Sequence, residues 1–257
     1  MLYVAVRAAR KAGDLIARSF ENSASFKVEE KKDRDFVTDI DRKAEALILR
    51  EIQQHYPSHG IVAEESGSSQ PDAPIQWHID PLDGTTNFIH GFPHFSVSIA
   101  AWQDARPLLA VVYDPIKNEL FEAERGQGAF MNRRRLRVTT VEYTDHCIFA
   151  SGLPPYSRDT EIDRFQQRMD RCMRNTEGYR RAGSAALDLA YVAAGRLDAY
   201  WESGLCSWDI AAGVLLVQEA GGIITNTQGG TLKLEDGDVL CGNARLHRQF
   251  LRLLNDA

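Results

Sequence analysis

The change of hydrophobic period along the chain constrains the fold more than any other feature. Residues 1–20 set Val4, Ala8, Ala12, Leu15 and Ile16 on one face at helical spacing. A second helix carries Ile40, Ala44, Leu47, Ile48 and Ile52, is capped by Thr38 or Asp39, and stops before Pro57. The polar stretch between them, 27–34, reads as a mobile hairpin or loop. From Gly60 to about Arg137 the period becomes that of short strands, at 61–63, 76–79, 96–100 and 108–112, and then a hairpin of 120–123 with 128–131. After about residue 140 the two periods alternate. Strands fall at 147–150 and 197–201, and helices at about 160–173, 184–194, 209–220 and beyond Asn243. No repeat or Pro/Gly/Ser linker interrupts this order. The pattern predicts an α+β protein whose two abutting halves, 1–140 and 141–257, share a cleft as one catalytic unit.

Composition narrows the function classes. A net charge of -6 gives no overall footprint for nucleic acid. No apolar run approaches the roughly 20 residues that span a bilayer, and the first residues are charged too early for a signal peptide. Cys147, Cys172, Cys206 and Cys241 are too scattered for a disulfide framework or a zinc site. They read as reduced and mostly buried thiols of a cytoplasmic enzyme with no membrane partner.

The chemistry concentrates in Asp80-Pro81-Leu82-Asp83-Gly84-Thr85-Thr86-Asn87-Phe88. Two carboxylates three apart on a proline-stiffened turn repel unless a hard cation neutralises them. The Gly-Thr-Thr that follows offers exposed amides, a hydroxyl and no bulk to an approaching phosphate. Three further acids stand at element junctions: Asp41 in the first turn of the second helix, Glu64 after the 61–63 strand, and Asp209 opening a helix. A lone Asp in a first turn is explained by the helix dipole, worth about 0.3–1 kcal/mol, and a lone Glu-Glu pair by a solvated turn. Together, acids at strand ends and helix starts are the usual oxygen ligands of magnesium. The helix start at Gly183-Ser184-Ala185 offers amides to substrate hydroxyls, and Arg180 and Arg181 stand just upstream.

The 80–88 segment and Trp208-Asp209-Ile210-Ala211-Ala212-Gly213, continued by Glu219-Ala220-Gly221-Gly222, resemble the two signature motifs of the inositol monophosphatase family. Val37-Thr38-x-x-Asp41 and Glu64-Glu65-Ser66 follow the family order, and 180–188 looks like its bacterial branch. The resemblance covers the whole chain. It implies a layered α-β-α-β-α sandwich and a Mg²⁺-dependent, lithium-sensitive phosphomonoesterase acting on a small phosphorylated polyol, with two or three ions per site. Carried over, Glu64, Asp80, Asp83, Asp209 and the Leu82 carbonyl would hold metal, with Asp80 bridging and Asp83 facing the leaving group. Gly84, Thr85 and the 82–85 backbone would take the phosphate, and Arg180, Ala185, Glu202 and Asp209 the inositol ring. Asp41 and Thr85, with Glu64, would orient and deprotonate the attacking water.

The family also implies a homodimer. Its bacterial members associate with RNA polymerase and antitermination factors, for which the basic run 133–137 offers a surface. Phosphatases of 3′-phosphoadenosine 5′-phosphate or fructose-1,6-bisphosphate share nearly the same metal motifs and remain alternatives. Two departures stand out: Ala63 precedes Glu64 where the family often has Gly, and Arg133 follows Asn132 where Gly is common. Arg disfavours a tight hairpin turn, so a wider one is expected there.

Overall fold

The computed structural model describes residues 1–22, 27–32, 35–153 and 159–255. The chain opens with α1 (Leu2–Glu21), the hairpin β1 (Val28–Lys32) and β2 (Asp35–Thr38), and α2 (Asp39–His55). Then come β3 (Gly60–Ala63), β4 (Gly67–Ser69), β5 (Ile75–Asp83), the short α3 (Thr85–Ile89), β6 (Ser96–Gln103), β7 (Arg106–Asp114), β8 (Glu119–Glu124), β9 (Gly128–Met131) and β10 (Arg134–Arg135). The remainder is β11 (Ile148–Ser151), α4 (Asp159–Arg174), β12 (Gly178–Arg180), α5 (Ala185–Ala193) and β13 (Ala199–Glu202). It closes with α6 (Ser207–Glu219), β14 (Ile223–Thr225), β15 (Val239–Gly242) and α7 (Ala244–Asn255).

These elements stack as the expected α-β-α-β-α sandwich. Helices α1 and α2 cover one face of an eight-stranded sheet of order β10-β9-β8-β7-β6-β5-β3-β4. Helices α5 and α6 lie between it and a five-stranded sheet of order β12-β11-β13-β15-β14, whose outer face carries α4 and α7. Strand alternation sorts side chains between the layers. Leu109, Val111 and Tyr113 of β7 join the α1/α2 core, and Ala110 and Val112 join the α5/α6 core. A helix between two sheets must be apolar all round, and Ile210 to Val217 of α6 are all buried. Its Gly213 admits Leu189 of α5 so closely that an added Cβ would lie 2.4 Å from the Leu189 Cβ.

Several expectations change. The 27–34 stretch contributes β1, which pairs antiparallel with β2 just after it; residues 33 and 34 lie outside the described residues. Thr38 is the α2 cap, its Oγ1 accepting from the Ile40 N–H at 3.1 Å. The Asp80–Asp83 turn is instead a bulged continuation of β5, pairing Asp80 with Ser98 and Asp83 with Ser96. One extra residue is accommodated there, and Pro81, lacking an N–H, suits a bulge. The 197–201 strand begins at Ala199. Strands β12, β14 and β15 have only three or four residues each and give no periodic signal.

The turn after Met131 is tight rather than wide. Arg134 pairs directly with Met131, and Asn132 and Arg133 both take left-handed φ, 47° and 68°. That is the two-residue turn that matches strand twist. The Asn132 side chain anchors it, accepting from the Leu120 N–H and donating to the Asn118 carbonyl, each at 3.0 Å. Cys147, Cys172, Cys206 and Cys241 are free thiols, and only Cys206 is not buried.

Candidate active site

Sheet register brings the first acids together. β3 runs parallel to β5 with Ala63 opposite Ile79, so Glu64 emerges beside Asp80. The Glu64 N–H bonds the Ile79 carbonyl at 3.2 Å, and the two carboxyls meet. Asp41 and Glu45 share one face of α2. Glu45 receives the amides of Glu65 and Ser66 at 2.8 and 2.9 Å, which fixes the chain that carries Glu64. Glu45 was missed from the sequence, although its four-residue spacing from Asp41 was a usable signal.

The second half closes over this edge. The start of α6 is held to the large sheet by His78 Nδ1 with Ser207 Oγ at 3.1 Å and by Ser98 Oγ donating to the Trp208 carbonyl at 3.3 Å. Asp209 thereby reaches the carboxyl group of Asp80. From the other side, Ser184 Oγ and the Ala186 N–H donate to Asp83 Oδ2 at 2.5 and 2.8 Å. Asp83 thus occupies the positive end of α5, beside Ala185. Asn87 Nδ2 ties the loops together, donating to the carbonyls of His94 at 2.7 Å and Ala182 at 2.8 Å. Gly84 lies at this seam with φ 101°, and a Cβ there would meet the carbonyls of His94 at 3.1 Å and Gly183 at 3.2 Å. Only glycine fits that conformation and space.

Hydrogen bonding divides the aspartates into two kinds. Asp80 accepts the Leu82 amide on Oδ1 at 2.9 Å, Asp83 accepts its two bonds on Oδ2, and Asp209 accepts the Cys206 amide on Oδ2 at 2.7 Å. Each takes these donors on one oxygen, and Asp80 shares a further hydrogen bond with Glu64. Asp41 accepts on both: Oδ2 from the Thr38 N–H and hydroxyl at 3.0 and 2.5 Å, Oδ1 from the Thr85 hydroxyl at 2.9 Å. The Thr85 hydroxyl also lies 3.0 Å from the Leu82 carbonyl.

The electrostatics follow. Burial first, then the charges of Glu64, Asp83 and Asp209, push the Asp80 carboxyl well above the usual range. Burial and Asp83 do the same to Asp209. Burial raises Asp83 to about 6, against its donors from Ser184 and Ala186. Burial also raises Asp41, against Thr38 and Thr85. No lysine or arginine is among the strongest influences on these four. Among the described residues no three acid, imidazole or thiol groups converge closely enough to hold a metal ion as they stand. The donor set nevertheless fits a hard divalent cation: clustered carboxylate oxygens, uncompensated by protein cations, beside the Leu82 carbonyl.

The ring-facing candidates separate. Glu202 is buried at the end of β13, and its carboxyl is raised to about 7 by burial, opposed by Tyr200 and Arg181. The cation facing Glu202 and Asp188 is Arg181. Arg180 is exposed and donates to the Tyr179 carbonyl at 3.0 Å. Arg180 ends the edge strand and Arg181 follows it, and neighbouring residues of an extended chain point opposite ways, which spacing alone does not resolve.

A five-layer sandwich with buried acids from both halves gathered beside a Gly-Thr-Thr helix start fits a class, the phosphatases of small phosphorylated metabolites. The chain belongs to the inositol monophosphatase family, whose model matches residues 1–257. It is 48% identical to the Nus factor SuhB of Escherichia coli strain K12, over 100% of this chain and 96% of that protein. The extragenic suppressor protein suhB of Bartonella henselae superposes with a TM-score of 0.95 at 41% identity, covering 99% of this chain and 98% of that one. The inositol monophosphatase of Anabaena gives a TM-score of 0.84 at 37% identity, covering 98% and 94%.

Proposed function

We propose that this chain is a Mg²⁺-dependent phosphomonoesterase that hydrolyses inositol monophosphate to myo-inositol and phosphate. Glu64, Asp80, Asp83, Asp209 and the Leu82 carbonyl would hold the two or three ions. Bound Mg²⁺ supplies positive charge to the phosphate oxygens and acidifies water. The observation that carries the reading is the division among the aspartates: Asp41, satisfied on both oxygens, suits proton transfer, and the others suit ligation.

The amides of Gly84 and Thr85, at the start of α3 where N–H groups have no intrahelical partner, face the phosphate. The Thr85 hydroxyl takes a hydrogen bond from the attacking water and relays its own proton to Asp41 Oδ1, 2.9 Å away. Burial increases the proton affinity of Asp41, the direction a general base requires. Ala185, Glu202 and Asp209 meet the sugar hydroxyls, with Arg180 at the rim. A substrate panel tests this: inositol 1-phosphate should be preferred over fructose-1,6-bisphosphate and 3′-phosphoadenosine 5′-phosphate, with turnover dependent on Mg²⁺ and inhibited by Li⁺. Preference for either alternative, or turnover unaffected by EDTA, overturns the reading.

A second role is favoured by the Nus factor name of relatives that are 48% identical. In this reading the chain, as a homodimer, also contacts RNA polymerase or antitermination factors. Arg133, Arg134 and Arg135 are exposed on the edge strand β10 and its turn, and they are the surface we assign to that contact. Charge at an open sheet edge also prevents edge-to-edge pairing. Co-purification with RNA polymerase should be lost in Arg134→Glu/Arg135→Glu. Absence of any such complex with the unaltered chain removes this role.

A further inference from the structure

Behind the acids of the site, the five-stranded sheet carries a buried phenol, that of Tyr200, which the proposed reaction leaves unused. Tyr200 and Glu202 are two apart on β13, so both side chains project toward α5 and α6, whereas Ala199 and Trp201 enter the outer core. Tyr200 is fully buried, and its hydroxyl donates to Glu202 Oε2 at 2.8 Å. Among the described residues it is the hydrogen-bond donor that Glu202 has.

Gly152 limits the space around both oxygens of the carboxylate. β11 runs parallel to β13 with Ser151 opposite Trp201, which sets Gly152 beside Glu202. A Cβ on Gly152 would lie 2.2 Å from Glu202 Oε2 and 2.5 Å from Oε1. Asp188, buried on α5, is a neighbouring carboxyl, pushed up by burial and by the charge of Glu202. A phenol and a carboxylate are a costly way to fill a core, because an unpaired buried partner is destabilising. Phe and an apolar residue would fill it more simply.

We propose that Tyr200 is a positioning residue for substrate selection. Clamped between the Tyr200 hydroxyl and the bare Gly152 backbone, Glu202 presents Oε1 in one orientation to a hydroxyl of a polyol leaving group. The ligand class is a phosphate monoester of a vicinal polyhydroxylated alcohol, as against an aryl or alkyl ester without hydroxyls. This deepens the proposed phosphatase reading and rests on it.

The test compares Tyr200→Phe and Gly152→Ala with the unaltered chain on inositol 1-phosphate and on p-nitrophenyl phosphate. Tyr200→Phe should raise KM for inositol 1-phosphate about five- to tenfold, the net worth of one ordinary hydrogen bond. Its kcat should hold, and p-nitrophenyl phosphate hydrolysis should stay within twofold. Gly152→Ala should show the same selectivity, and Tyr200→Phe should add nothing to Glu202→Gln. Equal losses on both substrates, or no change in KM, overturn the proposal. Mg²⁺-dependent turnover of p-nitrophenyl phosphate by the unaltered chain reads the phosphatase assignment separately. Calorimetric affinity for myo-inositol, which needs no turnover, should weaken in Tyr200→Phe whatever that outcome, and an unchanged affinity refutes the positioning role.

Discussion

Replacing Asp83 by Asn should move stability and activity in opposite directions. Burial holds the Asp83 carboxyl at about 6, against an ordinary 3.8. In metal-free protein at pH 7.5, keeping that group ionised costs the native state about 3 kcal/mol relative to the unfolded chain. The sign follows from proton binding. A carboxyl with raised native pKa lends stability in full below pH 3.8 and has lost it once pH passes about 6. The Asn amide oxygen can still accept from Ser184 Oγ and the Ala186 N–H, so the hydrogen bonds survive while the charge goes. Urea unfolding in EDTA at pH 7.5 should therefore find Asp83→Asn more stable by about 1–3 kcal/mol. The gap should narrow as pH falls toward 4. With Mg²⁺ the unaltered chain should gain more in Tm than the variant, whose turnover should fall at least about 100-fold. An Asp83→Asn protein less stable than its parent in EDTA, or a gap that ignores pH, would falsify this reasoning.

Thr85→Val keeps the branched shape and removes the hydroxyl between water and Asp41; kcat should fall by about 10²–10⁴ in a protein that still folds, less stable by about 1–3 kcal/mol for the acceptor left on buried Asp41, and a retained kcat would remove Thr85 from proton transfer. Arg133→Gly should stabilise the protein by about 1 kcal/mol in urea unfolding, because Arg133 adopts φ 68° at a left-handed cost that glycine escapes. His94 is buried, its Nε2 has no partner among the described residues, and burial lowers its pKa to about 4. Because the unfolded chain binds that proton first, stability should fall as pH drops from about 6.5 toward 4, with about 2 kcal/mol lost by pH 5. His94→Gln should flatten that part of a pH series of urea midpoints, and an unchanged slope counts against the burial argument.

Much of the fold was legible because long periodic segments carry their own signal. α1, α2, α4 and α6 appear within one to three residues of the helical pattern, and the β8/β9 hairpin lies where its glycines suggested. The bulge at Asp80–Asp83 was not legible: proline and alternating acids look like a turn until β6 supplies the pairing partner. The β14/β15 pair was lost for a similar reason, since β15 becomes a strand beside β13 and β14 in turn beside β15. Within the site, the motifs supplied the residues in contact with one another, but not the ones that orient them. Glu45, Asn87, Gly152 and Arg181 act through partners distant in sequence: Asn87 lay inside the 80–88 motif and Arg181 beside Arg180, but their partners did not, and Gly152 gave no signal.

The burial of α5 and α6 between the sheets has a consequence for synthesis on the ribosome. The eight-stranded sheet is complete by Arg135, yet the inward face bearing Ala110, Val112, Phe121 and Ala123 is covered only by residues 185–219. At about 5–20 residues per second, that face waits several seconds for its cover. During that interval the nascent chain presents a wide apolar sheet to the cell, an opening for holding chaperones. A pause in translation between codons 135 and 219 should lower the yield of soluble protein more than an equal pause after codon 220.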